Sequence, residues 1–317
     1  MIEACNLTKR FGQKVAVDDV SFTVHRGEVL GFLGPNGAGK STTMRMLTGY
    51  LPPTAGTARI GGDDIIESSL SARKKIGYLP ENAPVYHEMT VTGFLDFIAE
   101  IRGFSGTEKK QRIGDTIERC FLAEVRFQSI GTLSKGYKQR VCFAQGILHD
   151  PEYLIMDEPT DGLDPNQKHE VRGMIREMAK TKALIISTHL LEEMDAVCSR
   201  AIIIANGRIV ADDTPEGLRA RSSNHGTVRL TMENLPEPEV LEGLEKFPAV
   251  RTVENFPEDK LVTVRVYPAD PERPPVDEVM SFLRERNTKV NSVSVEKGLL
   301  DEVFRAITTA AAAEVRS

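Results

Sequence analysis

Residues 34–41 read Gly-Pro-Asn-Gly-Ala-Gly-Lys-Ser, with Thr42 behind them. This is the pattern G-x-x-x-x-G-K-[ST], and its chemistry follows from geometry. A loop poor in side chains lets successive backbone N–H groups close around phosphate oxygens, and the lysine adds positive charge. Gly34, Asn36, Gly37, Ala38, Gly39, Lys40, Ser41 and Thr42 are therefore candidate phosphate-binding residues, with the Ser41 hydroxyl offered to Mg²⁺. A helix expected over 42–48 would aim the positive end of its dipole at the same anion.

A second constellation is Tyr153-Leu-Ile-Met-Asp157-Glu158-Pro-Thr160, an apolar run ending in two adjacent carboxylates. Neighbours at a strand end point in different directions, so Asp157 is placed to face Mg²⁺ while Glu158 reaches an attacking water.

Both constellations need strands to hold them. Val29–Leu33, Tyr153–Met156, Ala183–Ser187 and Ala201–Ile204 are short apolar runs that alternate with helical patterns. That alternation predicts an α/β fold with a mostly parallel sheet covered on both faces. Polar or acidic turns follow each run, which puts the chemistry at the carboxyl ends of the strands. Residues from about 90 to 148 are helical in pattern and read as an inserted helical subdomain.

Composition bounds the rest. A chain of 317 residues exceeds one ordinary core, so two domains are expected. A net charge of −6 argues against a dedicated nucleic-acid binder. No run approaches the ~18 apolar residues of a membrane span, and the N-terminus enters a strand instead of a signal pattern, so a cytoplasmic chain is expected. Cys5, Cys120, Cys142 and Cys198 are scattered without metal-ligand spacing and read as reduced thiols.

Between the two constellations lies Leu133-Ser-Lys-Gly-Tyr-Lys-Gln-Arg140. The order of phosphate loop, L-S-x-G-x-x-Q-R, apolar strand with D-E-P-T, D-G-L-D (161–164) and S-T-H (187–189) resembles the ABC-type ATPases over residues 1 to about 220. The resemblance implies ATP and Mg²⁺ as ligands and a homodimer holding two shared sites. In it, Ser134 and Gly136 close over the γ-phosphate held by a second copy, and Asp164 couples the sites across the dimer. It further implies that Phe11 stacks on adenine with Ala16 beside it, that Glu158 activates water, and that His189 contacts the γ-phosphate. The other histidines, His25, His87, His149, His169 and His225, belong to no motif and read as surface or loop residues.

The chain departs from the family pattern at Lys135 and Tyr137, where L-S-G-G-Q is expected, and at Glu81, where most members carry Gln. Both departures are similar to those of ABC-2-type exporter subunits, including gliding-motility-associated ones. That resemblance implies a separately encoded transmembrane permease as partner, no nucleic acid, and a peripheral position on the inner face of the plasma membrane. Glu81 can ligate Mg²⁺ as a hard oxygen donor, and residues 81–90 would grip the membrane partner. Two other readings stand beside this one. A soluble ABC protein acting on ribosomes or DNA would call for tandem cassettes, a coiled-coil insertion or a basic face. A nucleotide-sensing module without useful turnover is motivated by Lys135, Tyr137 and Glu81.

Beyond residue 220 the pattern changes. A linker over 221–226 leads to a strand at 227–232, a helix at 239–247, strands at 250–256 and 261–267, a helix at 275–287, a strand at 289–296 and a last helix from Leu299. The order βαββαβ is the ferredoxin-like split βαβ pattern. It carries no phosphate loop, metal spacing or paired catalytic carboxylates, so residues 227–317 read as an accessory or regulatory α+β domain.

Overall fold

The computed structural model describes residues 1–82, 84–258 and 261–314. Strands β1 (Ile2–Phe11) and β2 (Lys14–Val24) open the chain; in β2, buried Val20, Phe22 and Val24 alternate with exposed Ser21 and Thr23, the period of a half-covered strand. Strand β3 (Val29–Leu33) is buried throughout and runs through the phosphate loop into helix α1 (Lys40–Leu47), two residues earlier than the expected helix start. Then come β4 (Ala55–Ile60), β5 (Asp63–Asp64), α2 (Ser69–Lys74) and β6 (Ile76–Leu79). Helices α3 (Val91–Ile101), α4 (Gly106–Arg119) and α5 (Lys135–Ile147) follow, and no strand interrupts them. The chain continues through β7 (Tyr153–Asp157), α6 (Pro165–Ala179), β8 (Ala183–Thr188), α7 (Leu191–Val197), β9 (Arg200–Ala205), β10 (Arg208–Asp213) and α8 (Pro215–Ala220).

Six of these strands form one sheet in the order β10-β9-β3-β8-β7-β6, parallel except for β10. Its residues divide by parity between two cores. Leu154, Met156, Leu184 and Ile186 pack with Phe94, Phe143 and Ile175 of the helical layer. Leu30, Phe32, Ile155, Ile185 and Ile202 pack on the other face with Met44 and Leu47 of α1. Burial on both faces is why these strands read as unbroken apolar runs. An antiparallel sheet, β2-β1-β4-β5, lends Leu7, Val20, Phe22 and Ile60 to the second core. The strand–helix alternation expected from sequence overlooks this second sheet, because its apolar residues alternate with polar ones instead of forming runs.

After α8 the chain forms β11 (Val228–Met232), α9 (Pro238–Glu245), β12 (Val250–Glu258), β13 (Leu261–Pro268), α10 (Val276–Glu285), β14 (Ser292–Val295) and α11 (Leu300–Glu314). Strands β12-β13-β11-β14 make an antiparallel sheet whose Val228, Leu230, Val264 and Val266 pack on Val240, Leu244, Val279 and Leu283 of α9 and α10. The compact units divide elsewhere than composition suggests: Met1–Thr214 with the chain from Ile307 form one, and Pro215–Ala306 the other. The segment expected as a linker is built into the second unit. Ser222 and Asn224 are buried and donate to the Glu302 carboxylate at 2.9 and 2.8 Å. Among the described residues no helix is long and apolar enough to cross a membrane.

Candidate functional site

The phosphate loop turns at Gly39, whose φ of 113° lies in the left-handed region that glycine tolerates. A Cβ there would stand 2.6 Å from the Ala16 carbonyl oxygen, so only glycine lets the loop approach β2 this closely. Lys40 follows at the start of α1 and is only 6% exposed. Its ammonium donates to the Gly34 carbonyl at 2.7 Å and stands 3.8 Å from Glu158 Oε1. Burial lowers the Lys40 pKa, against the carboxylates of Glu158, Asp157 and Glu81, which raise it.

The two carboxylates at the end of β7 diverge. Asp157 is buried, and its Oδ1 accepts from Ser41 Oγ at 3.2 Å and from Ser187 Oγ at short range. Its other oxygen, Oδ2, is buried without a hydrogen-bond partner among the described residues. Glu158 adopts φ 52°, a left-handed conformation that costs a non-glycine residue about 1 kcal/mol or more. Its amide donates to the Ser187 carbonyl at 3.0 Å. That turn swings its side chain the opposite way, where Oε2 meets His189 Nδ1 at 2.9 Å. Burial raises the Glu158 pKa, and His189 and Lys40 oppose the shift.

Lys40, Glu158 and His189 line a cleft of about 480 Å³ that also takes in Phe11, Ala16, Asn36, Gly37, Gly39, Ser41, Thr42 and Glu81. Phe11 is half exposed, with the Lys9 ammonium over its ring at 5.4 Å from the centre. Three expected members fall outside the cleft wall, and the first, Asp157, is buried behind it against Ser41. The Ala38 side chain packs into a core, and its amide donates to the Pro35 carbonyl at 3.2 Å. Gly34 is pressed against Ile204, whose carbonyl oxygen would be 2.4 Å from an added Cβ.

Ser134, Gly136 and Asp164 stand elsewhere, the last two against Gln167. Ser134 caps α5 and Asp164 caps α6, the latter accepting from the Gln167 amide at 2.9 Å. Gly136 leaves room for the Gln167 side chain, which a Cβ would meet at 2.2 Å. None of the three lines the cleft of its own chain.

Three residues of the site escaped the sequence reading. Ser187 holds Asp157, Lys14 lines the cleft, and Asp161 lines it while pairing with Lys135 at 3.1 Å. The D-G-L-D spacing drew attention to Asp164 alone. Lys135 in turn lies over Gly162, where a Cβ would meet its Nζ at 2.1 Å. Tyr137, the other departure, packs on the Arg140 guanidinium at 5.2 Å. His149 lies in a loop as expected, between α5 and β7, and is half-buried there, with Nε2 on the Ile76 carbonyl at 3.0 Å and Nδ1 unpartnered among the described residues. Within the expected loop 81–90, Ala83 lies outside the described residues. Glu81 lines both the cleft and a neighbouring groove of about 470 Å³ with Arg45, Tyr50, Tyr78, Arg102 and Gln145.

Residues 17–161 match the family described as ABC transporter. The chain is 36% identical over 273 residues to the Nod factor export ATP-binding protein I of Rhizobium sp. (strain N33), covering 86% of this chain and 87% of that protein. It is 35% identical over 238 residues to the linearmycin resistance ATP-binding protein LnrL of Bacillus subtilis (strain 168), covering 75% and 76%. Against the probable multidrug ABC transporter ATP-binding protein YbhF of Escherichia coli (strain K12), identity is 38% over 74% of this chain, which spans only 40% of that longer protein. A solved ATP-binding subunit of an ABC transporter superposes with TM-score 0.65 at 31% identity, over 70% of this chain and 92% of the other. The dimeric ABC transporter cassette MJ0796, at 22% identity and TM-score 0.63 over 68% and 99%, shares the fold.

Proposed function

Because the chain belongs to the ABC transporter ATP-binding family, we propose that it is the ATP-hydrolysing subunit of an ABC-2-type exporter, working as a homodimer on a separately encoded membrane permease. The observation that carries this reading is the convergence of Lys40, Ser41, Glu158 and His189 on one cleft, with Asp157 held against Ser41 behind it, from three separate parts of the chain. Residues 1–220 supply the ATP-binding part. The remainder, whose strand order fits a ferredoxin-like domain, serves as an accessory part.

The unpartnered buried oxygen of Asp157 beside the Ser41 hydroxyl fits a hard divalent cation. Ser41 and Asp157 would hold Mg²⁺, with Glu81 at the cleft wall as a further oxygen donor. When bound, the ion neutralises charge on the phosphate oxygens. Phe11 offers its ring to adenine, and the backbone of Asn36, Gly37 and Gly39 surrounds the phosphates with the charge of Lys40. Glu158 accepts the proton of a water that attacks the γ-phosphorus; the new P–O bond forms as the bond to the bridging oxygen breaks, and ADP leaves with that oxygen. His189 orients Glu158 through their hydrogen bond. The position of Ser134, Gly136 and Asp164 outside their own cleft suits a contribution to the site of a second copy.

The names of the relatives support export as the role. Glu81 belongs to both the cleft and the adjoining groove, so the permease is proposed to dock at that groove and sense nucleotide through Glu81. The test is Glu158→Gln in the full chain. ATP binding should persist while turnover falls roughly 10²–10⁴-fold, the span for loss of a general base. A variant that hydrolyses at the parent rate overturns the assignment.

A further inference from the structure

The two edges of the C-terminal sheet differ in chemistry. Edge strand β12 carries Arg251, Glu254 and Pro257 and a register shift between Val250 and Thr252. Charge, proline and irregularity are the devices that keep a sheet edge from pairing with another chain. Edge strand β14 has none of them: it reads Ser-Val-Ser-Val, pairs with β11 without a shift, and is exposed along its whole length. Its valines sit opposite Val228 and Leu230, which are fully buried, yet Val293 and Val295 remain 40% and 41% exposed.

Parity decides which main-chain groups face outward. The Glu296 amide donates to the Thr227 carbonyl, so Glu296 and, two residues back, Ser294 face β11. Val293 and Val295 therefore direct their N–H and C=O groups away from the sheet. The two residues whose hydrogen-bonding groups have no partner among the described residues are also the two that present apolar side chains.

We propose that β14 pairs antiparallel with β14 of a second copy of this chain, about a twofold axis through Ser294, joining the two C-terminal sheets into one. The sequence around that axis is self-complementary. Val293 falls opposite Val295 of the second copy and the reverse, and each pair exchanges both its main-chain hydrogen bonds. The four valines then form one apolar patch on the helix-covered side. Ser294 meets its own counterpart, Asn291 falls opposite Lys297, and no like charges are brought face to face. This contact needs no nucleotide and uses no residue of the ATP cleft.

The register makes a covalent test available. Ser294 and its counterpart form a non-hydrogen-bonded pair with Cα atoms about 4.5 Å apart, inside the roughly 4.4–6.8 Å range of a disulfide. In a full-length Cys5→Ser background, which removes the exposed native thiol, Ser294→Cys should cross-link two chains under mild oxidation without nucleotide. Ser292→Cys, which faces Glu296 of the second copy, should not. By sedimentation in nucleotide-free buffer the parent should be dimeric and Val293→Lys/Val295→Lys monomeric. That double variant in the Glu158→Gln background should still form an ATP-trapped dimer, which shows that it folds and separates this contact from the catalytic one. A parent that sediments as a monomer without nucleotide, equal cross-linking of Ser292→Cys and Ser294→Cys, or a double variant that stays dimeric without nucleotide overturns the proposal.

Discussion

Glu158 and His189 form a unit in which burial and charge act in opposite senses on one carboxyl group. Burial raises the Glu158 pKa above its ordinary 4.5, and the charge of His189 is the strongest influence holding it down. A general base works only when deprotonated, so ATP turnover should rise with pH through an acid limb whose midpoint lies above 4.5. His189→Ala removes the lowering influence, so that limb should move to higher pH, with lower turnover throughout. A pH–rate profile at saturating ATP checks both; an unmoved limb would separate His189 from the base. His149 is a second residue with a definite sign. The Ile76 carbonyl only accepts, so the His149 proton sits on Nε2, and charging Nδ1 would bury a cation without a partner. Burial, with Arg102 adding to it, lowers the His149 pKa to about 4 from 6.5. The folded state therefore binds fewer protons than the unfolded chain between those values, and stability is full above 6.5 and falls as pH drops toward 4. The conversion of about 1.36 kcal/mol per pKa unit makes this loss up to roughly 3 kcal/mol. Urea midpoints across this range should fall less steeply for His149→Gln.

At the scale of elements, the site depends on how helix α5 lies on strand β6. Gly77 in β6 has no room for a side chain: a Cβ would stand 2.3 Å from the Gly146 carbonyl oxygen of α5 and 2.6 Å from Leu154. The first of these neighbours is backbone, so the helix itself must move. Gly77→Ala should cost about 1–3 kcal/mol, as overpacking does, read as a lower urea midpoint at unchanged slope. Because α5 begins at the Ser134 cap and carries Gly136 in its first turn, the same change should weaken the ATP-trapped dimer of the Glu158→Gln variant. Gly136→Ala meets only the far end of the flexible Gln167 side chain, and should leave stability closer to the parent.

At the scale of the molecule, the C-terminal sheet brings its own core of Val228, Leu230, Val264, Val266, Leu244 and Leu283. Among the described residues, both cores around the six-stranded sheet are built from residues of the first unit. A chain ending at Arg221 keeps both of those cores and loses from the first unit only the segment that begins at Ile307, so it should fold and bind Mg-ATP, with its nucleotide-free association lost. Equilibrium ATP binding by the folded truncated chain is the measurement. Lost affinity there would show that the removed segment supports the cleft.

The phosphate loop, the Asp157–Glu158 pair and the buried strands behind them were legible because each depends on residues adjacent in sequence. A glycine-rich turn needs its spacing, and a strand covered on both faces needs an unbroken apolar run. The βαββαβ order of the C-terminal part was legible for a similar reason, since its periodicity changes element by element. The antiparallel sheet at residues 2–64 was less visible, because half-covered strands alternate and resemble exposed chain. Only the tertiary structure brought Ser187 to Asp157, Lys135 to Asp161, and Ser222 and Asn224 to Glu302, contacts between residues 26 to 80 positions apart. Spacing within a motif has no means of expressing such pairings. Tertiary structure also decided His149, which carries no motif and acquires its depressed pKa from burial, and the bare edge of β14, whose exposure follows from which strand ends the sheet.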